Sequence, residues 1–297
     1  MALRPIDNAL PITPERPKKY AKMMIPAQKE KQEIPAAKGE NNLPKALPED
    51  ASIDYVQSAD LEPLQDLETT LEDIVGGLES KDWLKVCESL NDVRRLAIHH
   101  SDRLEPHLEN VVPVLVRSIK NPRSALCKTS LMAASDIFRA FGNNLIHTDS
   151  ESFNQLLLQL LLKASQDKKF VCEEANRTLS SMVESTSPLP LLNQLSPYVS
   201  HSNLRVRAKA AMSISKCVSK LDRKGMEEFG FVELIKTSAN LLNDKLPEAR
   251  EAARSIGLEA YGAITETEEE KEKLWQNFCQ NNLPAVLAQA MLKLAAA

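Results

Sequence analysis

The sequence predicts an all-α protein built as a solenoid of stacked helix pairs, and three observations lead to that fold class. Of the 297 residues, 43% are hydrophobic but only 4% are aromatic and only 8 are glycine, a composition that favours helices over sandwiches or barrels. From about residue 61 onward, apolar residues recur at steps of three and four. These helical stretches alternate with short polar corners, one corner about every forty residues.

Five polar corners define the repeat. They read Ser80-Lys81-Asp82-Trp83, Lys120-Asn121-Pro122-Arg123, Gln166-Asp167-Lys168-Lys169, Ser202-Asn203-Leu204-Arg205 and Asn243-Asp244-Lys245-Leu246. From Trp83 to Pro122 is 39 positions, and the intervals on to Asp167, Asn203 and Asp244 are 45, 36 and 41. This period is typical of HEAT and armadillo repeats. Because such repeats stack in register, the sequence predicts that all five corners lie along one edge of the molecule.

Each repeat pairs two apolar stripes with helical spacing, one before its corner and one after it. The predicted first helices carry stripes that begin at Leu64, Leu104, Phe153, Leu191, Phe231 and Leu274. The predicted second helices carry stripes that begin at Val86, Cys127, Val171, Ala211, Ala249 and Val286. Since a single pair buries too little apolar surface to fold alone, about six pairs are expected to stack into one array.

The corners also contain residues that begin helices well. Asp or Asn side chains accept hydrogen bonds from free N–H groups in a first helical turn, and proline is favoured at the first helical position. The sequence therefore predicts N-caps at Asp82, Asp167, Asn203 and Asp244, and one at Asn121 followed by Pro122 as the first helical residue.

Residues 1–60 are predicted to be a disordered, proline-rich leader, and residues 61–297 the repeat domain. The leader holds eight of the 17 prolines and nine charged residues of each sign. Its small basic cluster, Arg16 to Lys22, is interpreted as part of a solvated linker, with an acidic polymer contact or a nuclear address as alternatives. The N-terminus has no apolar signal segment, and the five cysteines form no CxxC pair, which indicates a soluble protein of a reducing, cytoplasmic compartment.

Composition and motifs exclude several classes of function. A net charge of −4 gives no general attraction to nucleic acid or to membranes, so neither is an expected partner. The glycine-rich and nucleophile motifs GxGxxG, GxxxxGK[ST], HExxH and GxSxG do not occur, which argues against an enzyme and against a cofactor. His99 and His100 have no second ligand pair at helical spacing, so no metal site is expected.

The remaining candidates lie at the corners. Trp83 stands in a polar corner, where it is either an interface anchor or a cap that folds back on the first helix. Basic residues recur at the later corners although a helix start disfavours positive charge, which calls for a functional explanation. These residues are Arg123, Lys128, Lys168, Lys169, Arg205, Arg207, Lys245 and Arg250.

The corners together resemble those of the TOG domain, a six-repeat HEAT array found in tubulin-binding proteins such as the CLASP and crescerin families and related plant microtubule proteins. The resemblance rests on Lys81-Asp82-Trp83, Asn121-Pro122-Arg123, Asp167-Lys168-Lys169, the run from Ser202 to Arg207 and the run from Asp244 to Arg250, and it covers about residues 61–297. It implies that the loop edge binds αβ-tubulin, with the tryptophan on one subunit and later basic residues on the other. The implied tubulin-binding residues are Trp83, Lys81, Arg123, Lys168, Lys169, Arg205, Arg207, Lys245 and Arg250.

Two features depart from the family pattern. The basic residue that often follows the tryptophan by three places is Val86 here, with Lys85 one position earlier. The chain also holds a single array, whereas tubulin polymerases use several. Partners, dimerisation or the leader would therefore have to supply further contacts, and the sequence sets no oligomeric state.

The function expected from this resemblance is that of a non-enzymatic tubulin- or microtubule-binding protein of the cytoplasmic cytoskeleton that regulates microtubule organisation or dynamics. The alternative is a general helical-repeat adaptor that holds a non-tubulin partner in its concave groove. Armadillo carriers of that kind have ladders of Trp and Asn on their inner helices. This chain has only Trp83 and Trp275, which favours the first function.

Overall fold

The computed structural model describes residues 55–148, 150–266 and 269–296, and no β-strand occurs in these ranges. They contain fourteen α-helices and three short 3-10 turns. The helices are α1 Leu67–Leu78, α2 Trp83–His99, α3 Ser101–Leu104, α4 Leu108–Lys120, α5 Ser124–Thr148, α6 Ser150–Ala164, α7 Lys169–Ser185, α8 Pro188–Leu195, α9 Leu204–Val218, α10 Arg223–Phe229, α11 Phe231–Leu241, α12 Pro247–Thr265, α13 Lys271–Asn282 and α14 Ala285–Ala295. The predicted all-α class is confirmed.

Six helix pairs form the array, as the repeat pattern predicts. The pairs are α1 with α2, α4 with α5, α6 with α7, α8 with α9, α11 with α12, and α13 with α14. The second helices pack in series, α2 on α5, α5 on α7, α7 on α9, α9 on α12 and α12 on α14. We call this series the second-helix layer. The short helices α3 and α10 are insertions between pairs that the apolar spacing did not predict.

One continuous apolar core runs through the array from α1 to α14. Phe138 of α5 is fully buried, and its ring meets that of Phe153 of α6 edge to face, with the centroids 6.3 Å apart. At the other end, Trp275 of α13 is 2% exposed and its indole N–H donates to the carbonyl oxygen of Met291 at 3.3 Å. Because Trp275 is buried and its indole N–H is hydrogen-bonded, it is a packing residue that holds α13 against α14.

Four of the five corners share one local turn. In each, an Asp or Asn side chain accepts a hydrogen bond from the backbone N–H two residues ahead, at 2.9 to 3.0 Å. The pairs are Asp82 with Leu84, Asn121 with Arg123, Asn203 with Arg205 and Asp244 with Leu246. Such a turn reverses the chain without leaving N–H groups unpaired. The repeated Asx residues therefore give four corners the same local geometry.

The predicted caps are partly wrong. Asp82 and Asn203 do occupy the N-cap positions of α2 and α9. By contrast, α5 begins at Ser124, so Asn121 and Pro122 lie in the turn before the helix, and α12 is capped by Leu246 and not by Asp244. Lys168, and not Asp167, holds the N-cap position of α7 and makes no side-chain cap hydrogen bond, while the carboxylate of Asp167 pairs with Arg205 of the next repeat. An Asx side chain can serve the turn or the helix, and its spacing alone does not decide which.

Residues 55–61 run across the second-helix layer ahead of α1, and we call them the strap. The carbonyl oxygen of Val56 accepts from Arg94 of α2 at 2.8 Å, and the hydroxyl of Ser58 donates to Asp136 of α5 at 2.6 Å. Leu61 is 4% exposed, and its carbonyl oxygen lies 2.7 Å from His99 Nε2. Residues 55–60 belong to the predicted leader, of which 1–54 lie outside the described residues.

A buried ion pair lies beneath the strap. Arg94 Nε is 2.8 Å from Asp136 Oδ2, and the two side chains are 1% and 0% exposed. Arg139 donates to the other carboxylate oxygen at 3.0 Å, and Asn91 accepts from Arg94 at 3.1 Å. Each nitrogen of the Arg94 guanidinium and each oxygen of the Asp136 carboxylate thus has a hydrogen-bond partner, which reduces the cost of removing the two charges from water. It joins α2, α5 and the strap.

Candidate functional site

Consecutive corners touch one another, so the five corners form one continuous row that we call the corner edge. Between the first and second corners, the guanidinium carbon of Arg123 lies 5.1 Å from the centroid of the Trp83 ring. Between the second and third, Lys168 Nζ donates to the hydroxyl of Ser124, the first residue of α5. The predicted grouping of the corners along one edge is therefore present at its first three corners.

The remaining corners are joined by ion pairs. Arg205 of the fourth corner lies 2.5 Å from Asp167 of the third. Arg207, one turn into α9, lies 2.7 Å from the carboxylate of Asp244 in the fifth corner. Each contact connects residues about forty positions apart, which is one repeat. The contacts thus continue the row to its end.

Trp83 is half-buried, which is intermediate between the two predicted alternatives, an exposed interface anchor and a cap that folds back on the first helix. Its ring packs against the main apolar core and carries the Arg123 guanidinium over one face. Lys81 and Lys85 beside it are exposed, whereas Val86 is 5% exposed. A cation over an indole face stabilises both groups by about 0.5–1 kcal/mol at an accessible site. The first two corners therefore present an aromatic side chain and several cations together.

The basic residues of the middle corners are exposed. Lys168 and Lys169 lie on the solvent side, and Lys169 is 3.6 Å from Glu173, with 85% and 52% of the two side chains exposed. The Arg205 pair with Asp167 is 53% and 87% exposed. Ion pairs this accessible contribute about 0–1 kcal/mol, so a partner can replace them at little cost.

Arg207 and Arg250 differ from the other basic residues because both bind the fifth corner itself. Arg207 donates to the buried carboxylate of Asp244 and to the carbonyl oxygen of His201. Arg250 donates to the carbonyl oxygens of Asp244 and Lys245 at 2.7 and 3.0 Å. Their hydrogen bonds fix the backbone of the corner, and Lys245 is left exposed at its tip.

Asp244 has a perturbed pKa. Burial raises the pKa of this carboxyl, but hydrogen bonds from the Leu246 N–H and from Arg207 lower it. The positive charges of Arg207 and Arg250 lower it further. The net result is a pKa below the ordinary value of 3.8.

This shift predicts a specific acid sensitivity of the fold. Because the folded-state pKa of Asp244 is lowered, its charge stabilises the fold above its unfolded value of 3.8, and this contribution is lost as the pH falls through the lowered folded value. We expect Asp244→Asn to lower the free energy of unfolding by about 2 kcal/mol at pH 7. Denaturant unfolding from pH 7 to pH 3 should show this difference shrinking below about pH 4. Glu251→Gln, in an exposed pair with Arg254, is the matched control and should change little at any pH; a difference for Asp244→Asn that is constant with pH would contradict the prediction.

One group of side chains near the corner edge was not predicted from the sequence as a binding site. Lys128 of α5 places its Nζ 4.1 Å from the centroid of Phe170 and 4.6 Å from that of Tyr55. We call these three residues the aromatic cluster. The sequence did indicate Lys128 as a basic residue near a corner, and Phe170 directly follows the corner residue Lys169. Tyr55 falls in the predicted leader, and nothing in the sequence indicated a role for it.

A separate groove lies in the second-helix layer between α9 and α12. Its volume is about 600 Å³, and its lining mixes Lys216 and Arg254 with Glu248 and Glu251. No ladder of aromatic or amide side chains is present in that lining. The groove is the feature on which the alternative adaptor function depends.

None of the helices in the described ranges is long and apolar enough to cross a bilayer. Among the same residues, no three His, Cys, Asp or Glu side chains come together in a way that could hold a metal ion.

The family model described as CLASP N terminal matches residues 107–281, which is more than half of the chain. The match contains the second to fifth corners and begins after the first, so Trp83 lies outside it. A mouse protein, TOG array regulator of axonemal microtubules protein 1, is 27% identical over 172 residues, which cover 58% of this chain and 10% of that protein. The chain thus corresponds to a small part of this relative.

Two solved structures are similar in fold. A TOG domain of Zyg9 from C. elegans has a TM-score of 0.55 and 16% identity, with 81% of this chain and 90% of that chain covered. A structure from work on TOG–tubulin binding specificity in microtubule dynamics and mitotic spindle formation has a TM-score of 0.52 and 14% identity, with 75% and 80% covered. At such identities the likeness concerns the fold alone.

Proposed function

Because this chain belongs to the CLASP N-terminal family and is a TOG domain of that type, we propose that it binds αβ-tubulin through its corner edge and regulates microtubule organisation or dynamics without catalysing a reaction. The observation that carries the proposal is the continuous corner edge, with the Trp83 and Arg123 pair at one end and the exposed Lys245 at the other. The name of the mouse relative, a regulator of axonemal microtubules, supports a cytoskeletal location.

The proposed contacts divide into two roles. Trp83 is the apolar anchor, since large aromatic side chains, tryptophan above all, account for much of the binding energy of protein interfaces. The basic residues of the corner edge attract acidic side chains of tubulin and accelerate association. These cations are Lys81, Arg123, Lys168, Lys169, Arg205 and Lys245. Arg207 and Arg250 act indirectly, because their hydrogen bonds hold the fifth corner in the shape that presents Lys245.

The proposal is tested by gel filtration of the purified chain with unpolymerised αβ-tubulin. We expect the two proteins to elute together at low ionic strength, and less completely at about 0.3 M salt, where charge attraction is screened beyond a few ångströms. The chain alone and tubulin alone are the references for elution volume. Separate elution at every salt concentration would contradict the proposed function.

The groove between α9 and α12 supports a second candidate, an adaptor that holds a segment of another protein. Charge reversal distinguishes the two candidates. If a cellular partner is retained after Lys168 and Lys245 are both changed to glutamate, but lost after Lys216→Glu, the groove and not the corner edge is the binding surface.

A further inference from the structure

The aromatic cluster has the composition of a binding surface. Phe170 is 40% exposed although it is a large apolar residue, and it lies in the first turn of α7. Its ring meets that of Tyr55 edge to face, with centroids 5.4 Å apart and an interplanar angle of 76°. The ammonium of Lys128 lies 4.1 Å from the Phe170 centroid. Tyrosine and phenylalanine are among the residues that protein interfaces concentrate relative to the rest of the surface.

The aromatic cluster is continuous with the corner edge. Phe170 directly follows the exposed pair Lys168 and Lys169. Lys128 lies one helical turn after Ser124, whose hydroxyl accepts from Lys168. A partner that covers the third corner therefore also reaches the open part of the Phe170 ring.

The beginning of α5 supplies a cation to aromatic rings on both sides. Arg123, just before the helix, lies over Trp83 of the first corner, and Lys128, inside it, lies over Phe170 next to the third corner. The two aromatic–cation pairs thus flank the second corner. The same arrangement that makes Trp83 a candidate anchor recurs at Phe170.

We propose that Phe170, held by Lys128 and Tyr55, is a second apolar anchor for αβ-tubulin on the corner edge, and that the strap is part of the binding site through Tyr55. This inference rests on the proposed function. The partner's matching surface carries an apolar group for the ring, together with carboxylates for Lys168 and Lys169 around it. Residues 55–61 then serve recognition as well as folding.

Preorganisation explains how Phe170 contributes affinity. Tyr55 and Lys128 restrict the ring before binding, so little side-chain entropy remains to be lost when a partner covers it. Lys128 is itself held 3.9 Å from Glu174, whose side chain is 8% exposed. Loss of Tyr55 should therefore weaken binding without any loss of charge.

The test measures tubulin affinity of Phe170→Ser by light-scattering or fluorescence titration with unpolymerised αβ-tubulin. We expect about tenfold weaker binding, the effect of truncating an interface anchor. Ile98→Ser is the matched control, because Ile98 is 38% exposed near the far end of α2, about 20 Å from the corner edge. It should change affinity by less than about twofold. Tyr55→Ala should weaken binding by about threefold through loss of preorganisation.

The outcomes separate this inference from the proposed function. If Phe170→Ser binds as tightly as the unmodified chain while Trp83→Glu does not bind, Phe170 is no anchor and the inference is overturned, although the proposed function stands. If the unmodified chain does not bind tubulin, both fail. Thermal unfolding shows whether Phe170→Ser is folded; if it is not, Phe170→Leu replaces it, with about threefold weaker binding expected and unchanged binding overturning the inference.

Discussion

Changing Trp83 and Lys245 together to glutamate is expected to abolish co-elution with αβ-tubulin. Trp83→Glu removes the aromatic anchor and places a carboxylate where the partner is acidic, which should cost at least about 2 kcal/mol, or about 30-fold in affinity. Lys245→Glu replaces an attraction by a repulsion at the other end of the corner edge. Gel filtration with unpolymerised tubulin measures the loss. Because the two sites lie at opposite ends of the row of corners, their effects should add.

The matched control is the double variant Ile98→Glu with Lys271→Glu. It introduces the same charges at exposed positions near the end of α2 and the start of α13, away from the corners. We expect this variant to co-elute with tubulin like the unmodified chain. Equal loss in both double variants would show a general charge effect, and unchanged binding of the corner variant would remove the corner edge from the interface.

Asp136→Ala is expected to produce the largest loss of stability. It would leave the Arg94 guanidinium charged, 1% exposed and without its carboxylate partner. Breaking a buried pair in this way costs about 3–5 kcal/mol. For a domain of this size the unfolding midpoint should fall by about 10 °C, which differential scanning calorimetry would measure.

Two comparisons show whether burial is the cause. Glu68→Ala breaks an equally short pair with Arg103, 2.8 Å apart, whose side chains are 72% and 41% exposed, and should cost less than about 1 kcal/mol. Arg94→Met combined with Asp136→Leu removes both buried charges and should recover most of the loss. If Asp136→Ala destabilised the protein no more than Glu68→Ala does, the buried pair would not be a major contributor to stability.

The array could be predicted from the sequence because its signals are local and repeated. Apolar spacing identified both helices of each pair, and the polar corners gave their period. The short helices α3 and α10 were missed since they bury few residues of their own. The non-helical backbone of Phe141 within α5 was missed as well. Such a break depends on packing between repeats, which periodicity does not report.

The candidate site was only partly predictable for a related reason. In sequence, Arg205, Arg207 and Arg250 look alike, each a basic residue at or just after a corner. In the structure the Arg205 side chain is 53% exposed and pairs with an exposed carboxylate, whereas Arg207 and Arg250 are held by the buried Asp244 and its neighbouring carbonyl groups. Contacts between residues far apart in sequence decide whether a basic side chain stays accessible to solvent or is buried in hydrogen bonds within the protein. Tyr55 illustrates the same limit, because nothing in its local sequence places it against Phe170.

The contacts between corners also limit how such an array can evolve. Repeat proteins are commonly regarded as modular, with units that can be duplicated, deleted or exchanged. Here the carboxylate of Asp167 is matched to an arginine of the following unit, and Asp244 to one of the preceding unit. Removing or shuffling the third, fourth or fifth unit would leave a charge unmatched in its neighbour, so these three units are expected to be inherited together.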